Sequence, residues 1–124
     1  MYYDQPITNE VDIGAFASLA SDQPHPGVTR RTMSSQRATV TSYAFEPGAA
    51  FPAHSHPQEQ ITIVQSGAVE MRIADDVHRL GAGGFTVVAP HIEHGVTAGD
   101  AGAEILAVIV PARPNPDAYT MADT

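Results

Sequence analysis

From residue 37 to residue 111 the chain is a succession of short apolar and β-branched runs, each cut by glycine, proline or aspartate before a helix could be completed. Arg37 to Glu46, rich in Thr, Val, Tyr and Phe, ends at Pro47-Gly48. Gln60 to Val64 runs to a turn signal at Ser66-Gly67. Val69 to Ile73 alternates, with Val69, Met71 and Ile73 apolar against Glu70 and Arg72, and a turn follows at Asp75-Asp76. Val77 to Leu80 leads into Gly81-Ala82-Gly83-Gly84, then come Phe85 to Ala89 and, last, Glu104 to Val110, closed by Pro111. Such spacing predicts an all-β sandwich or barrel and disfavours a parallel βαβ sheet, which needs long helical segments between its strands.

The flanks are less patterned. Residues 1 to about 36 are mixed and carry Pro6, Pro24 and Pro26. Asp12 to Ala20 places Ile13, Phe16 and Leu19 on one helical face, so one short helix is expected there despite Gly14. Asp22 to Gly27 reads as a loop and residues 112 to 124 as an irregular tail. At 124 residues with 43% hydrophobic content, residues 1–124 are expected to form one domain whose barrel core spans about 37–111.

Composition removes several functions. The formal net charge is −8, and all six basic residues are arginine. Such a surface repels phosphate backbones and anionic lipid heads, so neither nucleic acid nor membrane is an expected partner. With no cysteine there is neither a disulfide framework nor a thiolate metal site. No apolar run is long enough for a bilayer, and Met1 to Pro6 lacks the basic start and apolar core of a signal peptide, so the expected location is cytoplasmic. No Gly-x-Ser-x-Gly elbow, phosphate-binding glycine loop or dinucleotide fingerprint is present.

Histidine carries the chemical signal. His54 and His56 lie two apart, which on an extended strand turns both imidazoles to one face about 6.6 Å apart. Pro57 favours extended backbone at the residue before it. Two such rings can lean onto one metal, whose bonds to nitrogen are about 2.0–2.1 Å. His94 follows a later strand in the segment Pro90-His-Ile-Glu-His-Gly95. Alternation places Gln60, Thr62 and Val64 on one face of their strand and Glu59, Ile61 and Ile63 on the other. Tyr43, Phe51 and Met71 are candidate pocket walls, while His25 and His78 fall outside the pattern and are expected to be exposed.

The spacing Gly48-x5-His54-x-His56-x3-Gln60-x6-Gly67, followed by Gly83-x10-His94, resembles the two motifs of the cupin superfamily over roughly residues 45 to 110. The resemblance implies a double-stranded β-helix, or jelly-roll barrel, and one divalent metal ion held by His54, His56, Gln60 and His94. Gln60 stands where the family most often has glutamate, with Glu59 as a competing carboxylate if a bulge near Pro57 reverses the faces. His91 and Ala89 stand where the second motif usually has glycine and proline, and Ala98 where it often has asparagine.

Three imidazoles and an amide are uncharged, so a bound ion would keep its double charge and attract a carboxylate or enolate. Fe, Mn, Ni, Zn and Cu all suit nitrogen and oxygen donors. The function that follows is a metal-dependent enzyme on a small polar, carboxylate- or enol-bearing metabolite, of dioxygenase, isomerase, lyase or cyclase type. Glu59, His91 and Tyr43 are its candidate acid–base groups. The alternatives are a non-catalytic small-molecule- or metal-binding module and a barrel whose metal only staples the fold. Tyr119 is placed to close a lid or pack on a partner. Barrels of this family often pair through sheets or N-terminal strands, which implies a homodimer.

Overall fold

The computed structural model describes residues 11–122. Nine strands follow in order: β1 (Ser21–His25), β2 (Val28–Ser34), β3 (Thr39–Phe45), β4 (Ala50–Ser55), β5 (Glu59–Ile73), β6 (Asp76–Gly81), β7 (Phe85–Val88), β8 (His94–Val110) and β9 (Thr120–Met121). Every pairing is antiparallel. One edge of the sheet runs β1-β2-β3-β8-β4-β9, while β5 pairs β6, β7 and β8.

The barrel is built on the long ribbon of β5 and β8. Its register runs from Glu59 opposite Val110 to Ile73 opposite His94. The outer edge of β8 is shared: residues 103–109 pair with β3 and residues 94–97 with β4. Two strands that each serve both halves of a sheet must coil, and the result is a jelly-roll barrel.

The coil has a hinge that the sequence disguises. Ser66-Gly67 reads as a turn between two strands, yet β5 is continuous and the register slips twice there, between Val64 and Ser66 and between Gly67 and Val69. Gly67 has φ +71°, and a Cβ on it would lie 2.1 Å from the Gly102 carbonyl oxygen. Glycine is what lets the strand bulge and the two backbones touch.

Other expectations fail for stated reasons. The helix expected over Asp12 to Ala20 is only a 3-10 turn, Phe16–Ser18, because Ile13 is 89% exposed and no apolar stripe is covered. The loop expected over Asp22 to Gly27 is mostly strand: β1 and β2 form a hairpin turning at Pro26-Gly27. Pro24 hides this strand from a propensity reading, but β1 is an edge strand, where a proline is tolerated. The strand expected over Glu104 to Val110 is the second part of β8, which begins at His94, ten residues before Glu104, and the tail expected to be irregular carries the short strand β9. No helix among the described residues is long and apolar enough to cross a membrane.

Alternation sorts the two faces. Inward side chains on β2 and β3 include Val28, Tyr43 and Phe45, which meet Phe51, Val64, Val69, Met71, Ile105 and Ala107 in the core. The inside also holds a hydroxyl stripe, with Thr32 against Thr41 at 3.4 Å and Ser34 against Thr39 at 3.2 Å. The tail is tied down by Arg30, whose guanidinium grips Asp22 at 2.6 and 2.9 Å and reaches Asp117 and the Pro116 carbonyl, each at 3.1 Å.

Candidate metal centre

The β4–β8 register makes His54 and His94 direct partners. His56 lies just past the end of β4, and Gln60 is the second residue of β5. Had the β5–β8 ribbon been straight, the 13 positions from Gln60 to Ile73, opposite His94, would separate the two by roughly 40 Å. Instead Gln60 Oε1 is 3.1 Å from His94 Nε2 and 3.0 Å from His56 Nε2. The ribbon has wrapped around the barrel and brought its ends together.

The four side chains are 6% (His54), 4% (His56), 6% (Gln60) and 1% (His94) exposed. Ring centroids are 4.4 Å apart for His54–His94, 4.9 Å for His56–His94 and 5.7 Å for His54–His56. One nitrogen from each ring lies within 4.8 Å of the other two. Each Nδ1 donates to a backbone carbonyl: His54 to Pro52 at 2.8 Å, His94 to Ile92 at 2.8 Å, His56 to Gln58 at 3.0 Å. With Nδ1 carrying the hydrogen, each neutral ring has a lone pair on Nε2. On His56 and His94 that lone pair faces Gln60 Oε1, which is oriented by its own Nε2 donating to Thr62 Oγ1 at 2.9 Å.

This donor set fits a divalent cation. Lone pairs converge with no hydrogen between them, an arrangement a positive ion satisfies. Separations of 3.0 and 3.1 Å are those of neighbouring donors at right angles around an ion with bonds of about 2.1 Å. The backbone carbonyls behind the rings are the outer partners that orient such ligands.

Burial holds the imidazoles neutral. His54 is pushed down to about 3, first by burial and then by the neighbouring His94. His56 and His94 are also lowered, again chiefly by burial. The unfolded chain binds protons at these side chains near pH 6.5, whereas the fold takes them up only at lower pH, for His54 only near pH 3. The metal-free protein is therefore expected to be most stable above pH 6.5. Its stability should fall as pH drops below 6.5, by up to about 1.4 kcal/mol per pH unit for His54 down to about pH 3, with His56 and His94 adding in the same direction. Urea unfolding at pH 8, 6 and 5 measures this, and a His54→Phe, His94→Phe double variant should flatten the slope.

The remaining candidates are dispersed. Glu59, the rival for the fourth position, is exposed, because β5 begins in regular alternation and turns Gln60 inward instead. His91 is also exposed; its backbone N–H donates to the His56 carbonyl at 2.8 Å, and its φ of 68° occupies the left-handed region where the family motif usually has glycine. Tyr43 is buried and contacts Phe51, which in turn contacts His54 with ring centroids 4.6 Å apart. Burial raises the Tyr43 phenol, opposed by the positive charge of the Arg113 guanidinium. His78 is exposed as expected, but His25 is half-buried, edge-on to Phe51 at 4.4 Å.

Two residues escaped the sequence reading. Arg113 is 5% exposed, lies 6.0 Å from the Tyr119 ring, and its positive charge disfavours protonation of all three imidazoles. Gln58 is buried beside the site, and its Oε1 accepts no hydrogen bond among the described residues. A single arginine in a proline-rich tail has no periodicity to betray it. Gln58 is adjacent to the motif but not at one of its spaced positions. The tail also carries Tyr119, whose ring packs 5.1 Å from that of His54, while β9 pairs with His54 and Ser55.

A family model described as a cupin domain matches residues 42–109. Among solved structures, an RmlC-like cupin from Shewanella frigidimarina NCIMB 400 aligns with TM-score 0.74 and 21% identity over 86% of this chain and 94% of its own. KdgF from Halomonas sp. aligns with TM-score 0.73 and 24% identity over 82% and 96%. Oxalate decarboxylase from Bacillus subtilis aligns with TM-score 0.82 and 16% identity over 94% of this chain but only 33% of its own. Among curated proteins none matches the sequence significantly. The structural likenesses establish the fold; the chemistry rests on the residues above.

Proposed function

The chain belongs to the cupin domain family, and from that premise we propose that it is a metal-dependent enzyme acting on a small polar metabolite that bears a carboxylate or an enol. The observation that carries this reading is the convergence of three Nε2 lone pairs and the Gln60 oxygen inside the barrel. His54, His56, Gln60 and His94 would hold one divalent ion, with Fe, Mn, Ni, Zn and Cu all compatible with the donors. When bound, the ion supplies Lewis acidity at a substrate oxygen, undiminished by any charged ligand.

The chain's own residues support the substrate class. The positive field of Arg113 at the imidazoles favours an anionic ligand. Phe51 and Tyr119 cover His54 and keep water from that side. Of the acid–base candidates, Tyr43 suits the reading better than Glu59 or His91, since its phenol lies inside the barrel against Arg113. One structural neighbour is by name a decarboxylase of oxalate, a small dicarboxylate, which accords with this class. Dioxygenase, isomerase, lyase and cyclase chemistry all remain within it.

A second reading, a non-catalytic binding module, is favoured by how thoroughly the site is covered. The experiment that separates them is a screen of small carboxylic and enolic acids against metal-loaded protein, following oxygen uptake and product formation. Turnover of any acid supports the enzyme, whereas saturable binding without turnover supports the module.

A cytoplasmic homodimer belongs to the same proposal. Its support is an apolar outer face in which Phe85 and Val87 on β7 pair with Ile63 and Ile61 on β5, with Val110 nearby on β8. Phe85 and Val87 are 66% and 56% exposed, a patch that a second copy would cover. Light scattering of the same preparation should give twice 13.1 kDa.

A further inference from the structure

The Gln60 amide has one oxygen and one nitrogen, and its two ends face different partners. One end lies 3.0 and 3.1 Å from two imidazole nitrogens; the other lies 2.9 Å from the Thr62 hydroxyl. Rotating the amide by half a turn exchanges oxygen and nitrogen without changing those distances. A hydroxyl both donates and accepts, so Thr62 can satisfy either end. The imidazoles cannot, because each Nδ1–H is already committed to a carbonyl and Nε2 can only accept. With the oxygen inward, acceptors face acceptors and a cation is required among them. With the NH2 inward, its two hydrogens point to the Nε2 acceptors of His56 and His94, and both are satisfied without any ion.

We propose that the Gln60 amide is a two-position element, NH2 inward when the site is metal-free and oxygen inward when a cation is held, and that Thr62 is the positioning residue that serves both states. Thr62 is fully buried and lies two residues from Gln60 on the same face of β5, so its hydroxyl stays within reach as the amide turns. The arrangement depends on glutamine at position 60: a carboxylate has no hydrogens to offer the imidazoles. It rests on the metal-binding reading above and adds that the metal-free barrel is preorganised.

The test is nitrogen-15 NMR of the metal-free native chain, followed by titration with Zn2+. The metal-free protein should show scalar coupling between the Gln60 side-chain nitrogen and Nε2 of His56 and His94, across N–H···N bonds. Zinc should abolish those couplings and move the Gln60 NH2 resonances. Thr62→Val, which keeps the shape and removes the hydroxyl that both states use, should shift the Gln60 NH2 resonances with and without zinc, and Thr62→Ser should restore them. If the metal-free chain shows no such coupling, or if zinc binds and the amide resonances do not move, the two-position amide is wrong. In either case the metal site stands. If the native chain binds no zinc or other divalent ion, both readings fall together.

Discussion

Purified alongside the native chain, His94→Ala and His54→Ala are each expected to have lost the metal, from about one ion per chain to almost none, with affinity reduced by roughly 100-fold or more. The size of the effect follows from the donor set. Three imidazoles and an amide bring no negative charge, so all the affinity comes from lone pairs held in place, and each is a large share of the whole. His94 is 1% exposed and stands directly opposite His54 in the β4–β8 register, so truncating either leaves a gap that no neighbouring donor can fill. His78→Ala is the control: it removes an exposed imidazole on β6, away from the cluster, and should keep its ion. Elemental analysis of the four proteins decides the matter. Equal metal in all four would discard the site and the enzymatic reading with it.

The second large effect is structural. Gly67→Ala is expected to destabilise the chain by about 3 kcal/mol or more, lowering the melting midpoint by roughly 10–15 °C. Two penalties combine. The backbone at φ +71° lies in the left-handed region, and the added methyl would meet the Gly102 carbonyl oxygen at 2.1 Å, backbone that no rotamer change can move. Gly48→Ala is the comparison, with φ +72° but no atom within 4 Å of its added Cβ, and so carries only the dihedral cost of about 1 kcal/mol. Differential scanning calorimetry of the two variants separates contact from conformation; equal losses would refute the close approach of the strands.

The parts of the fold that were legible in the sequence are those where one physical rule acts alone. Val69 to Ile73 alternates because one face is core and the other solvent, and the structure buries Val69 and Met71 while exposing Glu70 and Arg72. Gln60, Thr62 and Val64 share the inner face for the same reason. The histidine spacing singled out three rings that do stand together, since i, i+2 geometry and a paired strand are local facts. What stayed hidden needs information from a distance. Ser66-Gly67 has turn chemistry, and only the opposing Gly102 shows that the residue pair makes a bulge. Ser21–His25 looks like a loop until β2 is beside it. Tyr119 packs on His54 from a tail that Arg30, on β2, holds through Asp117 and Pro116, while the Arg113 backbone N–H donates to Thr39 Oγ1 at 3.1 Å. Nothing in the tail's own composition implies that anchorage.

Because Gln60 and His94 sit at opposite ends of the same ribbon, the four-donor constellation is not complete until the sheet has gone all the way round. Pairing of β4 with β8 alone brings at most the three imidazoles together, and the Gln60 oxygen joins them only on closure. An ion therefore binds the finished barrel more tightly than the states that precede it, and mass action converts that difference into stability that rises with free ion concentration. In a refolding experiment, a spectroscopically visible ion such as Co2+ would change its spectrum when the Gln60 oxygen joins the imidazoles, at circumferential closure. The chain thus carries its own reporter of the last step in becoming native.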